Sequence, residues 1–241
     1  MKNNLLFALS CMAVLSANAQ KIVEKHMAFT PNTLVSMNFQ ISDSIRVVSW
    51  NKNEVYIKST INVNDNKNND NYRMNFDESD NNIHITGKLE FEKGKGCCGN
   101  NSDNNSGNCC CCCTSKIIHE VYIPENSDIS VETINGNIVV SGNIAGIKAR
   151  TISGYIDLAV SPQRKADLKL HTITGTMYSN FDLPREGGSM RKVGGNTVMT
   201  QLNGDGGKPI DLSTISGDIF VRKAEVGRAP NSEGRRLSDG G

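Results

Sequence analysis

Apolar and polar residues alternate over much of the chain between positions 34 and 223, which is the pattern of β-strands that each bury one face. Four such stretches align without a gap, and each carries Thr-Ile followed by Asn, Ser or Thr and then Gly. They are residues 129–138, 147–156, 168–177 and 210–219. In the first, Ile129 and Val131 precede the threonine in one phase, whereas Ile134 and Ile138 occupy the other. A strand changes its buried face only at a bulge or corner, so each repeat predicts a strand, a corner at the glycine and a second strand.

The corner glycines recur about every 20 residues once a degenerate copy at 200–204 is included. Two architectures fit this unit. In a β-sandwich, the Asn-Gly and Ser-Gly pairs would close hairpins. In a parallel β-solenoid, each repeat is one coil, and equivalent residues stack about 4.8 Å apart. The recurrence of the same residue at the same position favours the solenoid. The expected ladders are Thr133, Thr151, Thr172 and Thr214, and beside them Ile134, Ile152, Ile173 and Ile215.

The rest of the chain extends the same all-β domain over residues 20–223. Further strands are predicted within 34–64, at Ile83–Leu89 and before Pro124. Trp50 ends one of these strands, and we expect it to pack over the end of the core. The tail, 224–241, has almost no apolar residues and is expected to be disordered.

The N-terminal residues have the features of a secretory signal peptide. The apolar run Leu5–Leu15 follows Lys2 and ends in Ala17-Asn18-Ala19. It is shorter than the roughly 20 residues that span a bilayer, so residues 1–19 are predicted to be removed before Gln20. A buried N-terminal helix and lipid attachment at Cys11 are the alternatives. No other segment is apolar for long enough to form a transmembrane segment, and the protein is expected in the periplasm, on the outer cell surface or secreted.

Composition excludes several classes of partner. The 241 residues include 26 basic and 25 acidic side chains, and 37% are hydrophobic. This balance provides no basic surface for nucleic acid or for an anionic membrane.

The chemically unusual segment is an insertion at 94–114 that holds seven of the eight cysteines. They are Cys97, Cys98, Cys109, Cys110, Cys111, Cys112 and Cys113. Disulfides are the first interpretation in an exported protein. The second is a thiolate site for Zn(II) or Cu(I), since alternate cysteines of a strand point to the same side. The third is an insertion with no selected role.

No catalytic motif is found. The histidines have no acidic or cysteine partner at a motif spacing, and the carboxylates show no pairing of the kind used in general acid–base catalysis. The four histidines are His26, His84, His119 and His171. We therefore predict that the protein is not an enzyme.

The sequence resembles a family of exported bacterial adhesin-like proteins, a domain of unknown function with a β-solenoid structure. The resemblance rests on Ser44–Trp50 with Val55–Ile57, on the four Thr-Ile-x-Gly coils, and on Leu202–Gly207. It covers residues 34–223 and implies a right-handed β-solenoid in an envelope or surface setting, with no catalytic residues to transfer. The insertion at 94–114 departs from the pattern.

Together these features predict a non-enzymatic, exported envelope or surface protein. Like an adhesin, it would bind a glycan or protein partner through the flat sides of the solenoid, and it could form oligomers. The alternative is a periplasmic thiol-rich protein that binds metal or senses redox state through the cysteines at 97–113. An enzyme acting on polysaccharide is a third hypothesis, based on likeness to β-helical lyases.

Overall fold

The computed structural model describes residues 20–79, 81–91, 114–182, 191–192, 197–204 and 206–224. The predicted signal peptide, Cys11, the seven cysteines at 97–113 and the tail from 225 lie outside the described residues. The described part of the chain is all-β, with a mostly parallel sheet and one short 3-10 turn at Asn69–Asn71.

The strands and their bounds follow the alternation in the sequence. They are β1 (Lys21–Ala28), β2 (Leu34–Trp50), β3 (Glu54–Val63), β4 (Tyr72–Ser79), β5 (Asn82–Leu89), β6 (Ser115–Pro124), β7 (Asp128–Ser141), β8 (Ile147–Ser153), β9 (Ile156–Val160), β10 (Ala166–Thr174), β11 (Met177–Ser179), β12 (Arg191–Lys192), β13 (Thr197–Leu202), β14 (Ile210–Ser216) and β15 (Ile219–Lys223).

Two long strands, β2 and β7, each belong to two parts of the hydrogen-bonded network, which we call sheet I and sheet II. Sheet I contains, in order, β4, β5, residues 34–39 of β2, residues 128–135 of β7, β8, β14, β10, β13 and β12. Sheet II contains β1, β3, β6, residues 44–50 of β2, residues 137–141 of β7, β9, β15 and β11. The inner faces of both sheets contribute to one hydrophobic core.

The four repeated threonines are consecutive partners across parallel strands, as the repeat predicts. Thr133 pairs with Thr151, Thr151 with Thr214, and Thr214 with Thr172. Their order in space differs from their order along the chain, because β14 lies between β8 and β10 while the other side of β10 pairs with the antiparallel strand β13.

The glycine pairs do not close hairpins. Strand β7 continues through Gly136. The strands on either side of Gly154, β8 and β9, pair with other strands, and so do β14 and β15 on either side of Gly217. The glycines therefore mark the corners at which the chain passes from sheet I to sheet II, as predicted.

The buried face changes later in the repeat than the sequence pattern suggests. Thr133 stays on the buried face, Ile134 is exposed, and the second buried face begins at Ile138. The expectation that Ile134 and its equivalents open the second buried face is therefore wrong. The threonine is held inside by a hydrogen bond at the corner, so the isoleucine beside it must point outward.

Each corner joins its neighbour through the same pair of contacts. The Oγ1 of Thr151 donates to the carbonyl oxygen of Gly136 at 3.1 Å, and that of Thr214 donates to Gly154 at 3.2 Å. A Cβ on Gly217 would overlap the carbonyl oxygen of Gly154 in the adjacent strand. The buried hydroxyl thus satisfies a corner carbonyl, and the missing Cβ lets the corners approach closely.

Replacing a corner glycine should destabilise the fold more than replacing a glycine in an open turn. We expect Gly217→Ala to lower the free energy of unfolding by about 1–3 kcal/mol more than Gly204→Ala, because only the first creates an overlap with backbone. Both residues have positive φ, 153° and 90°, and a Cβ on Gly204 would meet nothing within 4 Å. Urea unfolding of the two variants measures the difference, and equal destabilisation would contradict close packing of the corners.

Two buried threonines allow the hydroxyl contribution to be measured. Thr214→Val should cost about 1–3 kcal/mol, because it removes the donor to the Gly154 carbonyl without changing side-chain volume. Thr200, on β13, is also buried, but its Oγ1 has no hydrogen-bond partner. Thr200→Val should therefore be neutral or stabilising in the same urea experiment. A loss of stability in Thr200→Val as large as that in Thr214→Val would argue against the role of the hydroxyl.

Candidate functional site

The outer face of sheet I carries a row of exposed isoleucines, here called the isoleucine ridge. In spatial order its members are Ile134, Ile152, Ile215 and Ile173, exposed by 49%, 45%, 44% and 53%. They lie next to one another because the flanking residues pair in register, for example Thr133 with Thr151 and Asn135 with Ser153. Single exposed apolar residues are ordinary, whereas a continuous row marks an interaction surface.

A second row of exposed polar residues runs beside the ridge. It consists of Asn135, Ser153, Ser216 and Thr174. The ridge therefore presents β-branched apolar side chains next to short hydrogen-bonding groups at a spacing of about 4.8 Å, set by the parallel strands.

Two ion pairs lie on the same face. Lys148 contacts Glu132 at 3.2 Å, and Lys169 contacts Asp211 at 3.3 Å. Exposed pairs of this kind contribute little to stability. Arg150, two residues before Ile152 in the same phase of β8, adds an exposed positive charge next to the ridge.

The outer face of sheet II carries four neighbouring rings, here called the aromatic cluster: Trp50, Tyr56, Tyr122 and His26. The three larger rings form a triangle of centroids, 6.2 Å from Trp50 to Tyr56, 5.3 Å from Trp50 to Tyr122 and 6.0 Å from Tyr56 to Tyr122. His26 lies 4.6 Å from Tyr56. The expectation that Trp50 packs over the end of the core is not met, because its ring contacts the outward-facing tyrosines.

Trp50 is held in place at the end of β2. Its Nε1 donates to the carbonyl oxygen of Glu54 at 2.8 Å, and its own carbonyl oxygen accepts from the backbone N–H of Glu125 at 3.1 Å. Lys52 lies 4.6 Å from the ring centroid, a cation–π arrangement. Burial, and after it the Glu24 carboxylate, raises the pKa of Tyr56, so this hydroxyl stays protonated at neutral pH.

A cleft of about 290 Å³, lined by both polar and apolar residues, opens near the aromatic cluster, where β2 and β6 end. The lining residues that can donate or accept hydrogen bonds include Asn32, Asn53, Asn126, Glu125, Asp128 and Lys208. Asp128 accepts from Gly146 N–H at 2.8 Å and from Lys208 Nζ at 2.7 Å.

A second group of rings lies farther along the outer face of sheet II. Tyr178 stacks on Phe220 with a centroid distance of 5.0 Å and an interplanar angle of 8°, and Tyr155 meets Phe220 edge-on at 6.2 Å. Tyr178 is on β11 and Tyr122 on β6, five strand spacings apart, on the order of 24 Å.

One group of side chains resembles a catalytic constellation but lies wholly inside the core. His119 Nδ1 is 2.8 Å from Ser59 Oγ, and its Nε2 is 3.1 Å from the Tyr72 hydroxyl. The imidazole also stacks on Phe39 at 3.9 Å. His119 and Ser59 are both 0% exposed, so no external substrate reaches them.

The surroundings of this buried group explain its chemistry. Burial lowers the pKa of His119 to about 3, so the imidazole is neutral at all physiological pH values. Burial also raises the pKa of Tyr72. The Tyr72 ring covers Gly87, where a Cβ would overlap its hydroxyl. Ser59 and Tyr72 satisfy both ring nitrogens of His119, which is the condition for keeping a polar side chain in a core.

The members of this group lie far apart in the chain and match no motif, so the sequence pattern does not predict their contact. The available signal was positional: Ser59 and His119 each occupy an inward-facing position of an alternating strand.

The described residues contain no group of three or more His, Cys, Asp or Glu side chains placed to hold a metal ion. The predicted thiolate site, Cys97, Cys98 and Cys109–Cys113, lies outside them and stays a prediction, as do its disulfide alternative and a bound Zn or Cu ion. In the same part of the chain, no helix has the length and apolar character needed to cross a membrane.

Comparison with known proteins identifies similar solved structures. No protein-family model matches the sequence, and no curated protein matches it. A putative cell adhesion protein from Clostridium sporogenes aligns with a TM-score of 0.54 and 12% identity over 85% of this chain and 100% of that chain. This similarity indicates a shared fold.

Two further structures align more weakly. A putative adhesin from Parabacteroides merdae has a TM-score of 0.31 and 13% identity over 66% of this chain and 60% of that chain. A putative adhesin from Bacteroides fragilis has a TM-score of 0.21 and 9% identity over 85% and 98%. Scores this low do not support an argument.

The buried imidazole should make stability depend on pH. Because the pKa of His119 is lower in the folded protein than the usual value near 6.5, the unfolded chain binds the extra proton, and stability falls as pH falls from about 6.5 towards 3. We expect a loss of about 2 kcal/mol between pH 7 and 5 from this group. The urea midpoint of His119→Gln should depend less steeply on pH than that of wild type. The control variant His26→Gln, changed at an exposed site, should keep the pH dependence of wild type. An unchanged slope in His119→Gln would contradict this assignment.

Proposed function

We propose that the protein is an exported, non-enzymatic surface or envelope protein that binds an extended partner in the manner of an adhesin. The observation that carries the proposal is the isoleucine ridge, in which four exposed isoleucines lie in register across four neighbouring strands. Covering the exposed part of each isoleucine would contribute on the order of 1 kcal/mol. A partner that spans the ridge gains from all four, so the surface suits an extended ligand.

The fold proposed for the domain is a right-handed parallel β-solenoid, with one glycine corner in each coil. In its favour are the parallel register of the four threonines and the glycine corners that connect sheet I to sheet II. In this proposal, the coil formed by β14 and β15 inserts between earlier coils.

The proposed location rests on the N-terminal sequence. Lys2, the apolar run Leu5–Leu15 and the Ala17-Asn18-Ala19 pattern support export with cleavage before Gln20. A location outside the cytoplasm also agrees with the isoleucine ridge, because exposed apolar side chains would promote aggregation in the crowded cytoplasm.

A binding role is preferred to catalysis for a structural reason. The Ser59–His119–Tyr72 group is sealed inside the core, and the outer faces present paired charges and apolar rows. No observation in the described part of the chain favours the alternative role in thiol chemistry.

Removing the ridge should reduce binding without unfolding the protein. We expect the variant with Ile134, Ile152, Ile215 and Ile173 all changed to Thr to lose at least tenfold in retention on an immobilised panel of extracellular matrix proteins and polysaccharides. Threonine keeps the branched Cβ that strands favour, so the variant should fold.

The matched control carries Ile22→Thr and Leu34→Thr, at exposed positions outside the ridge. It should bind like wild type. Equal binding by the ridge variant and the control would refute the ridge as the binding surface, and so would the absence of retention of the wild-type protein on every member of the panel.

A further inference from the structure

The end of sheet II combines two features that suit a carbohydrate. The first is the aromatic cluster, in which three large rings lie within 34° of parallel and form a triangle rather than a column. All three rings are only partly buried, so part of their surface is exposed to solvent, and Lys52 lies over one face of the Trp50 ring. The negative face of an aromatic ring attracts the weakly positive C–H groups that sugars present on one side of the ring.

The second feature is the adjoining cleft and its hydrogen-bonding groups. Asparagine amides both donate and accept, which matches sugar hydroxyls, since these also do both. Asn53 follows the end of β2, and Glu125 and Asn126 follow the end of β6. The volume of the cleft, about 290 Å³, is at the small end of ligand pockets, which commonly measure roughly 300–1,000 Å³. It therefore suits a single sugar residue.

Charge distinguishes a neutral sugar from an acidic one. Lys208 is already bound to Asp128 at 2.7 Å, and Lys52 lies 3.7 Å from Glu54. The cationic groups of the site are thus neutralised by carboxylates of the same chain, while Glu125 adds a negative charge at the cleft. An anionic ligand would have to displace these pairs and would be repelled by the remaining carboxylate.

Backbone contacts connect the two features. The Trp50 indole N–H donates to the Glu54 carbonyl, and the Trp50 carbonyl accepts from the backbone N–H of Glu125, which lines the cleft. The ring and the backbone of Trp50 are therefore both fixed beside the cleft. Such rigidity lowers the ordering cost of binding.

We propose that the cleft and Trp50 form a binding site for a neutral glycan. One sugar residue occupies the cleft, where its hydroxyls exchange hydrogen bonds with the asparagine amides. The adjacent sugar residue stacks against the aromatic cluster. The site is separate from the isoleucine ridge, which is on sheet I, and does not depend on it.

The chain contains one tryptophan, so its fluorescence reports this site directly. Residues 20–241 are titrated with neutral trisaccharides of glucose, galactose, mannose, xylose and N-acetylglucosamine, and with trigalacturonate as the anionic comparison, each up to about 10 mM. At least one neutral trisaccharide should give a saturable change in emission, confirmed by calorimetry. Stronger binding of trigalacturonate than of every neutral sugar, or no saturable change with any neutral sugar, would overturn the proposal.

Variants separate this site from other surfaces. Asn53→Ala should lower the affinity for the bound sugar at least fivefold with Trp50 still present as the reporter. Trp50→Ala should lower it at least tenfold by calorimetry, whereas Trp50→Phe, which keeps a ring, should lose less. Tyr178→Ala, at the distant ring pair, and the four-isoleucine variant should bind the trisaccharide like wild type.

If Asn53→Ala and Trp50→Ala, with unfolding midpoints near that of wild type, bind the sugar normally, the assigned site is wrong. If no neutral sugar binds but the ridge still retains the protein on the panel, the glycan site fails and the proposed function stands. If the sugar binds and changing the ridge has no effect on retention, the glycan site stands and the proposed function of the ridge fails.

Discussion

The fold depends on the close contact between corners of neighbouring strands. At each corner the glycine must lack a Cβ, because the carbonyl oxygen of the adjacent corner occupies that space, and Gly154 and Gly217 illustrate this contact. The same carbonyl is buried and needs a donor, which a threonine of the next strand provides, as Thr214 does for Gly154. Steric and hydrogen-bonding requirements therefore select the same register, and a shift by one residue would lose both.

The exposed isoleucines follow from this register. Because the threonine is held inside, the next residue must point outward, and identical corners place identical residues side by side. Ile134 and Ile152 are thus neighbours for the same reason that Thr133 and Thr151 are. An arrangement needed for folding creates a continuous surface row, and the apolar character of that row is not needed for the corner. Serine or threonine would satisfy the backbone equally well, so the isoleucines call for an explanation outside the fold.

The repeat allowed the threonine ladder and the glycine corners to be predicted, because both obey local rules of alternation and turn chemistry. It failed where the outcome depends on tertiary contacts. The exposure of Ile134 depends on the hydroxyl of Thr133 being kept inside, which alternation alone does not reveal. The position of β14 between β8 and β10 could not be predicted, because four coils of similar sequence can stack in more than one order. The contact of His119 with Ser59 joins strands 60 residues apart.

The two candidate surfaces arise from different parts of the architecture. The isoleucine ridge comes from repeated coils, so altering one member leaves three, and the affinity proposed for it would be shared among equivalent positions. The aromatic cluster comes from β1, β2, β3 and β6, which do not share the repeat, and Trp50 has no equivalent in another coil. A unique side chain beside a small cleft with hydrogen-bonding groups is suited to selecting one chemical group, whereas a repeated row is suited to length and avidity. If both proposals hold, sheet II would provide selection of a ligand and sheet I the strength of attachment.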